Sequence, residues 1–329
     1  MEKWRVLLPG LSNDTECRLA LTIAHLSDLH LSPEFGRTNI RLTKRILRSL
    51  VAAGVDHIVV TGDITADAEA RELEIARGIF AAHGLLDPHR LTVVIGNHDV
   101  FGGVHRAEDI LSFPRKCRTT DYDAKVAAFR EAFKETFQQS VVVSQPGFFP
   151  FVKVLGSVVL IGVNTIARYS GVNNPLGSNG EIDDDQARRL ERILLSPLFE
   201  KKTKIVLQHH HFSRTDSPTE GAMGNIWGTI ERRTMKLRRK KRLARLYSKA
   251  GVDLVLHGHI HQSDRYVRYG IQCVNGGGTL YREGDSALSV PLIRVDAGGI
   301  TLGEHRVESE GRGRGSLAGA AETVLAGAA

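Results

Sequence analysis

Cysteine is scarce: Cys17, Cys117 and Cys273 are the only three in 329 residues. They are scattered, odd in number and never form CxxC, which argues against a disulfide framework and leaves no thiolate zinc site. No run approaches the ~20 apolar residues of a membrane span. The opening residues, MEKWRVLLPGLSNDTEC, lack an adequate apolar stretch and a small-residue cleavage site, so secretion is not expected. With reduced cysteines, this makes the cytoplasm the expected location. No internal repeat is present. Charged residues make up 25% and hydrophobic residues 42% of the chain, which excludes bulk disorder and allows a large core. The net charge of +7 is a mild excess that favours anionic partners: phosphate esters, nucleic acid or an acidic lipid surface.

The informative excess is histidine, 14 residues with several in tight groups. Those groups fall where apolar runs end. Leu19 to Leu26 reads as a buried strand running into Ser27-Asp28-Leu29-His30. A helical spacing follows through Ile40, Leu42, Ile46, Leu47, Leu50 and Val51, stopped by Gly54. His57 to Thr61 is a second strand, ending in Gly62-Asp63. A helix from about Asp67 to Ala82 leads to the strand Leu91 to Ile95, which ends in Gly96-Asn97-His98-Asp99. This alternation reads as βαβ units with buried parallel strands.

The middle of the chain changes character. Residues 101–140 hold Pro114, a basic patch (Arg115, Lys116, Arg118) and a helix around Ala124 to Phe137. Val141 to Val143, Phe148 to Val154 and Ser157 to Val163 read as a meander of short strands. Asp183 to Leu195 reads as a helix with a favourable acidic start. Lys204 to Gln208 is a buried strand ending in His209-His210-His211. Residues 212–229 are turn-rich, and a basic helix is expected from Ile230 to Lys249. Val252 to Leu256 runs into His257-Gly258-His259-Ile260-His261. Arg265 to Val274 and Leu288 to Val295 read as closing antiparallel strands. From about Glu308 the chain is rich in Gly, Ala and Ser, and is expected to fray or form a short helix near Ala320 to Leu325.

Five strand ends thus carry carboxylate, carboxamide and imidazole: Asp28/His30, Asp63, Asn97/His98, His209 and His259/His261. Ligands bind at the carboxyl ends of strands in parallel α/β sheets. This donor mix suits Mn, Fe, Zn, Co or Ni; calcium wants oxygen alone and copper(I) wants sulfur. Seven or eight donors exceed the needs of one ion with open water positions, so the count points to two divalent ions. Each fragment alone has a plainer reading as turn chemistry or a satisfied polar cluster. Their joint occurrence, each after a β-branched apolar run, argues against coincidence.

The order D-x-H, G-D, G-N-H-D, H-H and G-H-x-H resembles the calcineurin-like metallophosphoesterase superfamily from about residue 21 to 262. It most resembles the branch of cyclic-nucleotide and glycerophosphodiester phosphodiesterases. The resemblance implies an α/β fold, a four-layer αββα sandwich of two mixed sheets flanked by helices. One domain would span 1–307, with the 212–249 loop and basic helix inserted in it, followed by a 308–329 tail. It implies Asp28, His30 and His261 as ligands of one metal, Asp63 as a bridging carboxylate, and Asn97, His209 and His259 as ligands of the second. The histidine triplet leaves His210 as an alternative to His209. His98 resembles the outer-sphere catalytic histidine. Many members carry an acid three residues past the bridging aspartate; here Ala66 stands there, with Asp67 next. The implied activity is hydrolysis of a phosphodiester by in-line attack of a metal-bridging hydroxide, with His98 serving the leaving group.

Residues 231–245 (ERRTMKLRRKKRLAR) are the densest basic run. They read as a solvated helix face, a phosphate-attracting rim, or a peripheral contact for anionic lipid. The run has no interleaved aromatics and no separate nucleic-acid module accompanies it, so nucleic acid is disfavoured. The 212–229 loop could lid the site with Trp227 or Met223, although an anchor for the next helix is the plainer reading of Trp227. Alternatives kept open are a lipid-precursor hydrolase cleaving UDP-diacylglucosamine and a catalytically silent scaffold. The alanine-rich tail leaves an oligomer open.

Overall fold

The computed structural model describes residues 20–106, 108–142, 148–212, 235–277, 279–280, 288–307 and 323–324. In chain order the elements are β1 (Leu21–Leu26), α1 (Arg37–Ala52), β2 (His57–Thr61), α2 (Ala70–Ala82), β3 (Leu91–Val94), α3 (Asp109–Thr119), α4 (Tyr122–Ala132), β4 (Val141–Val142), β5 (Phe151–Leu155) and β6 (Val158–Gly162). They continue with α5 (Asp184–Leu194), β7 (Thr203–Leu207), α6 (Lys240–Lys249), β8 (Leu254–His257), β9 (Asp264–Arg268), β10 (Ile271–Asn275), β11 (Leu288–Asp296), β12 (Gly299–Val307) and β13 (Thr323–Val324).

Two mixed sheets result. The first runs β13-β12-β11-β1-β2-β3 and the second β4-β5-β6-β7-β8-β10-β9. β1, β2 and β3 are parallel, and so are β6, β7, β8 and β10. The period-two alternation of strand side chains divides the second sheet between two cores. Leu160, Ile205, Leu207, Leu254 and Leu256 join the larger core with the first sheet, whereas Ile161, Val206, Val255 and Cys273 pack with α5 and α6. Strands buried on both faces read as unbroken apolar runs, which is why the βαβ units are legible in sequence. The expected fold, two mixed sheets flanked by helices, is what the chain adopts.

Several local expectations shift. α2 begins at Ala70 rather than near Asp67, because Glu69 and Glu72 form a reciprocal capping box. α3 has no counterpart in the sequence reading: Pro114 sits inside it, and a proline there reads as a break. The helix expected from Ala124 to Phe137 ends at Ala132 and passes into a separate 3-10 turn, Lys134–Phe137. The basic helix starts at Lys240, not Ile230. Before it, Arg238 N–H donates to Gly180 O at 2.7 Å and Gly180 N–H to Lys236 O at 3.0 Å, so these groups pair across the chain instead of helically. Arg239 then takes a left-handed φ of 53°. Residues 230–234, the 213–229 part of the expected lid with Met223 and Trp227, and most of the tail lie outside the described residues. Thr323–Val324 form a strand paired with β12, where a short helix was one expectation. The single strand expected over Arg265 to Val274 is split into β9 and β10, which pair antiparallel with each other, and β10 also pairs parallel to β8. β12 is only partly buried and has no apolar run to mark it.

Ile205 is fully buried on a central strand between the two sheets. Ile205→Ala is expected to cost about 2–5 kcal/mol in urea unfolding, the range for a truncated core aliphatic. Val172→Ala, at a 90% exposed position, is expected to stay within about 0.5 kcal/mol.

Candidate metal centre

The carboxyl ends of β1, β2 and β3 from one sheet and β7 and β8 from the other meet at one place. Each strand hands over to a short segment that carries the polar residues. Those segments bend sharply: Asp28, His30, Asp63 and His259 all hold left-handed φ angles, between 41° and 73°. Non-glycine residues rarely adopt this conformation, and strain of this kind concentrates at functional sites. The segments also press close together. A Cβ at Gly258 would overlap Ser27 Oγ and Asp28 Oδ2, so glycine lets the β8 end pass against the β1 end.

Donor atoms converge in three overlapping groups, Asp28/His30/His261, His30/Asp63/His98 and Asp63/His209/His259, each with its atoms within 4.8 Å of one another. His30 Nε2 lies 3.0 Å from His261 Nε2, which is in turn 3.8 Å from Asp28 Oδ1. Asp63 Oδ2 lies 3.3 Å from His209 Nε2 and 3.9 Å from His30 Nε2, so it faces both sides of the cluster. His209 Nε2 also approaches Asn97 Oδ1 at 3.0 Å and His259 Nδ1 at 3.1 Å. All seven sequence-predicted metal ligands are therefore brought together, with His98 beside them.

The supporting hydrogen bonds orient these groups. His209 Nδ1–H donates to Thr61 O at 2.8 Å, which turns Nε2 toward Asp63. Asp63 Oδ1 accepts the His98 backbone N–H at 2.8 Å, and the Asp28 carboxylate accepts the His259 N–H at 3.1 Å. The register question within the triplet has a geometric answer. His210 faces Thr165 Oγ1 at 2.9 Å and Ser178 O at 3.1 Å, so both its ring nitrogens are engaged away from the cluster. The missing acid beyond Asp63 is also replaced: His98 Nδ1–H donates to the Ala66 carbonyl at 2.9 Å, a main-chain acceptor in place of a carboxylate. Sequence reasoning missed Asp99, whose carboxylate accepts from Thr65 N–H, Thr65 O–H and Gly96 N–H and ties the β2 and β3 ends together. Its position after Asn97-His98 was a visible signal without an assigned role. Burial, then the nearby Asp63 charge, pushes Asp99 up to about 6.

The electrostatics suit cation binding. Burial holds His30 and His259 well below the ordinary imidazole range, so they favour the neutral, ligating form. Burial raises Asp28. Burial opposes the charge on Asp63 as well, but the His209 and His98 rings outweigh it and hold the carboxyl well below its usual range. Burial likewise works against a charged His209, and Asp63 overcomes it, pushing His209 up to about 9. Protein groups alone satisfy this cluster poorly: His259 Nε2 is buried without a hydrogen-bond partner, and imidazole nitrogens face one another in pairs. Nitrogen and oxygen donors at this density fit divalent first-row metals.

Added Mn2+ is therefore expected to raise the melting temperature by at least ~3 °C at saturating concentration. The shift should vanish in Asp63→Ala, and should weaken as pH falls below about 9, where a proton on His209 competes with the metal. A shift of equal size in Asp63→Ala, read by calorimetry, would remove Asp63 from the centre.

A search of curated protein sequences finds no significant match. Among solved structures, a purple acid phosphatase from yellow lupin (Lupinus luteus) seeds superposes with a TM-score of 0.55 at 13% identity, covering 88% of this chain and 52% of the lupin chain. The chain thus spans about half the length of that phosphatase. A dimetal phosphatase from Danio rerio gives a TM-score of 0.55 at 11% identity, covering 87% of this chain and 95% of the fish chain. Identities this low speak to fold alone. The family model for calcineurin-like phosphoesterases matches residues 21–263, the span that holds every strand end of the site. A chain matched over that length, with its candidate metal-binding side chains gathered at those strand ends, belongs to the calcineurin-like phosphoesterase family.

Proposed function

We propose that this phosphoesterase is a two-metal phosphodiesterase. Asp28, His30, His261 and Asp63 would hold one divalent ion, and Asp63, Asn97, His209 and His259 the other, with Asp63 shared. When bound, such a pair supplies Lewis-acid charge at phosphorus and lowers the pKa of the attacking water. The protein's own residues supply the rest. Asp63 keeps its place through the His98 N–H, so the shared carboxylate and the catalytic histidine are set by the same turn. His98, with Nδ1 committed to Ala66 O, has Nε2 left to hold a proton for the departing oxygen. It also stands edge-on to His30, ring centroids 4.5 Å apart, at the base of the cleft.

The observation that carries the diester reading is the lining of that cleft, about 330 Å3 in volume. Above the donor cluster it is walled by Phe35, Val104, Phe113, Leu176 and Met235, with few charged groups. A phosphodiester brings one negative charge and two organic arms. Two cations offset that charge, and the apolar walls accept an arm while excluding water. A monoester dianion would gain little from such walls. Met235 apart, no described residue of the basic run lines the cleft. Arg239 and Arg242 instead pair with Asp184 at 2.9 and 3.2 Å, and Arg238 lies 3.4 Å from Glu181. These contacts lie in the groove between α5 and α6, which favours the solvated-face reading over a substrate rim. The complete donor set speaks against a silent scaffold.

With Mn2+ present, kcat/KM for bis-p-nitrophenyl phosphate is expected to exceed that for p-nitrophenyl phosphate; the reverse order would overturn the diester preference. No turnover of either compound with any of Mn2+, Fe2+, Zn2+, Co2+ or Ni2+ would overturn the enzymatic reading. His98→Ala is expected to lose roughly 10²–10⁴-fold in kcat, the span for a general acid, with metal content by elemental analysis retained. Loss of one metal equivalent in that variant would instead make His98 a ligand.

A further inference from the structure

A second ionic cluster stands beside the cleft, and the proposed chemistry does not use it. Asp67 Oδ2 lies 3.1 Å from His105 Nε2, and Asp67 Oδ1 accepts from Lys116 Nζ at 3.0 Å. Burial works against the Asp67 charge, but its bonds to His105 and Lys116 prevail and hold the carboxyl well below its usual range. The same bond to Asp67 raises His105 above the ordinary imidazole value, against some burial. One carboxylate thus faces two basic groups, so a protonated His105 would leave the cluster net positive. Lys116 alone would suffice to tie α3 to the loop after β2, so that structural task does not account for His105.

The placement of His105 is specific. Phe35 stacks flat on it, ring centroids 4.2 Å apart and planes 7° from parallel, which fixes the imidazole plane. Gly103 runs between His98 and His105: a Cβ there would come 2.5 Å from His98 Cε1 and 3.3 Å from His105 Cε1. A side chain at this position would force the rings apart, so the two imidazoles are neighbours on one wall. Among the described residues lining the cleft, outside the candidate ligands and His98, His105 is the only ionisable one. A second charge on a bound substrate would otherwise meet apolar walls, where an unpaired ion is costly.

We propose that His105 is a specificity residue that binds an anionic group, carboxylate or phosphate, carried on the leaving group of the substrate. The position follows from His98, which serves the leaving oxygen and stands next to His105. This inference rests on the phosphodiesterase reading above.

The test compares methyl p-nitrophenyl phosphate with methyl 3-carboxy-4-nitrophenyl phosphate, whose leaving groups differ by one carboxylate. A third ester carrying a phosphonate at the same position separates the two anion types. In the Mn2+-loaded wild type, kcat/KM is expected to be higher for an anion-bearing ester than for the neutral one. In His105→Gln the ratio of the two should fall by about tenfold or more, the loss of one charge-assisted hydrogen bond. His105→Arg, which keeps the cation, should recover most of that ratio. The proposal is overturned if the ratio stays within about twofold in His105→Gln, or if the arginine variant is no better than glutamine. It is also overturned if the wild type prefers the neutral ester. Failure of the phosphodiesterase reading would look different: p-nitrophenyl phosphate would be preferred over the diesters, or no ester would be hydrolysed by any metal form.

Discussion

The site depends on one buried carboxylate. Asp63 is 1% exposed, yet its charge is maintained, because three different strand ends supply its partners. His209 comes from the second sheet, His30 from β1, and the His98 N–H from the turn after β3. An isolated carboxylate at that depth would protonate. Here the cationic character of its surroundings makes the ionised form the stable one, and the same surroundings provide ligands for metal. Removing the carboxylate would leave Asp28 as the one carboxylate among the facing imidazoles.

The rest of the fold can be understood as the means of bringing those partners together. Parallel strands in both sheets direct their carboxyl ends to one edge, so residues distant in sequence arrive together. The Asp28 carboxylate and the His259 N–H are 231 positions apart and hydrogen-bonded. Shared apolar packing between the sheets, through residues such as Leu207 and Leu256, holds the two sets of strand ends in register. The cost falls on the backbone, which takes left-handed turns at four of the candidate ligands. Dense packing of the layers below resists relaxation of those turns.

The cleft above this base divides the work by chemistry. Its floor carries the candidate metal ligands and its walls are largely apolar. His105 is the exception, an imidazole on the wall that faces Asp67, a carboxylate outside the cleft lining. Asp67 stands next to the position where relatives of the motif often carry an acid, and in this chain it serves His105 and Lys116. The task of orienting His98 passes to the Ala66 carbonyl. One turn after β2 therefore supports two imidazoles with two kinds of acceptor, a main-chain oxygen and a carboxylate.

What the sequence by itself determined is the donor inventory and its order: apolar runs buried on both faces, each followed by Asp, Asn or His. Such runs are legible because the parallel strands they form are fully buried, and β12 was missed because it is not. α3 was missed because a proline inside a helix carries the same local signal as a helix end. Only the tertiary structure decided which member of the 209–211 triplet faces the cluster, since adjacent residues of an extended segment point in opposite directions and the pattern does not say which face is which. Tertiary structure alone also assigned the partners of His98 and His105. A backbone carbonyl has no signature in sequence, and a carboxylate meeting an imidazole across a loop depends on how the chain returns upon itself.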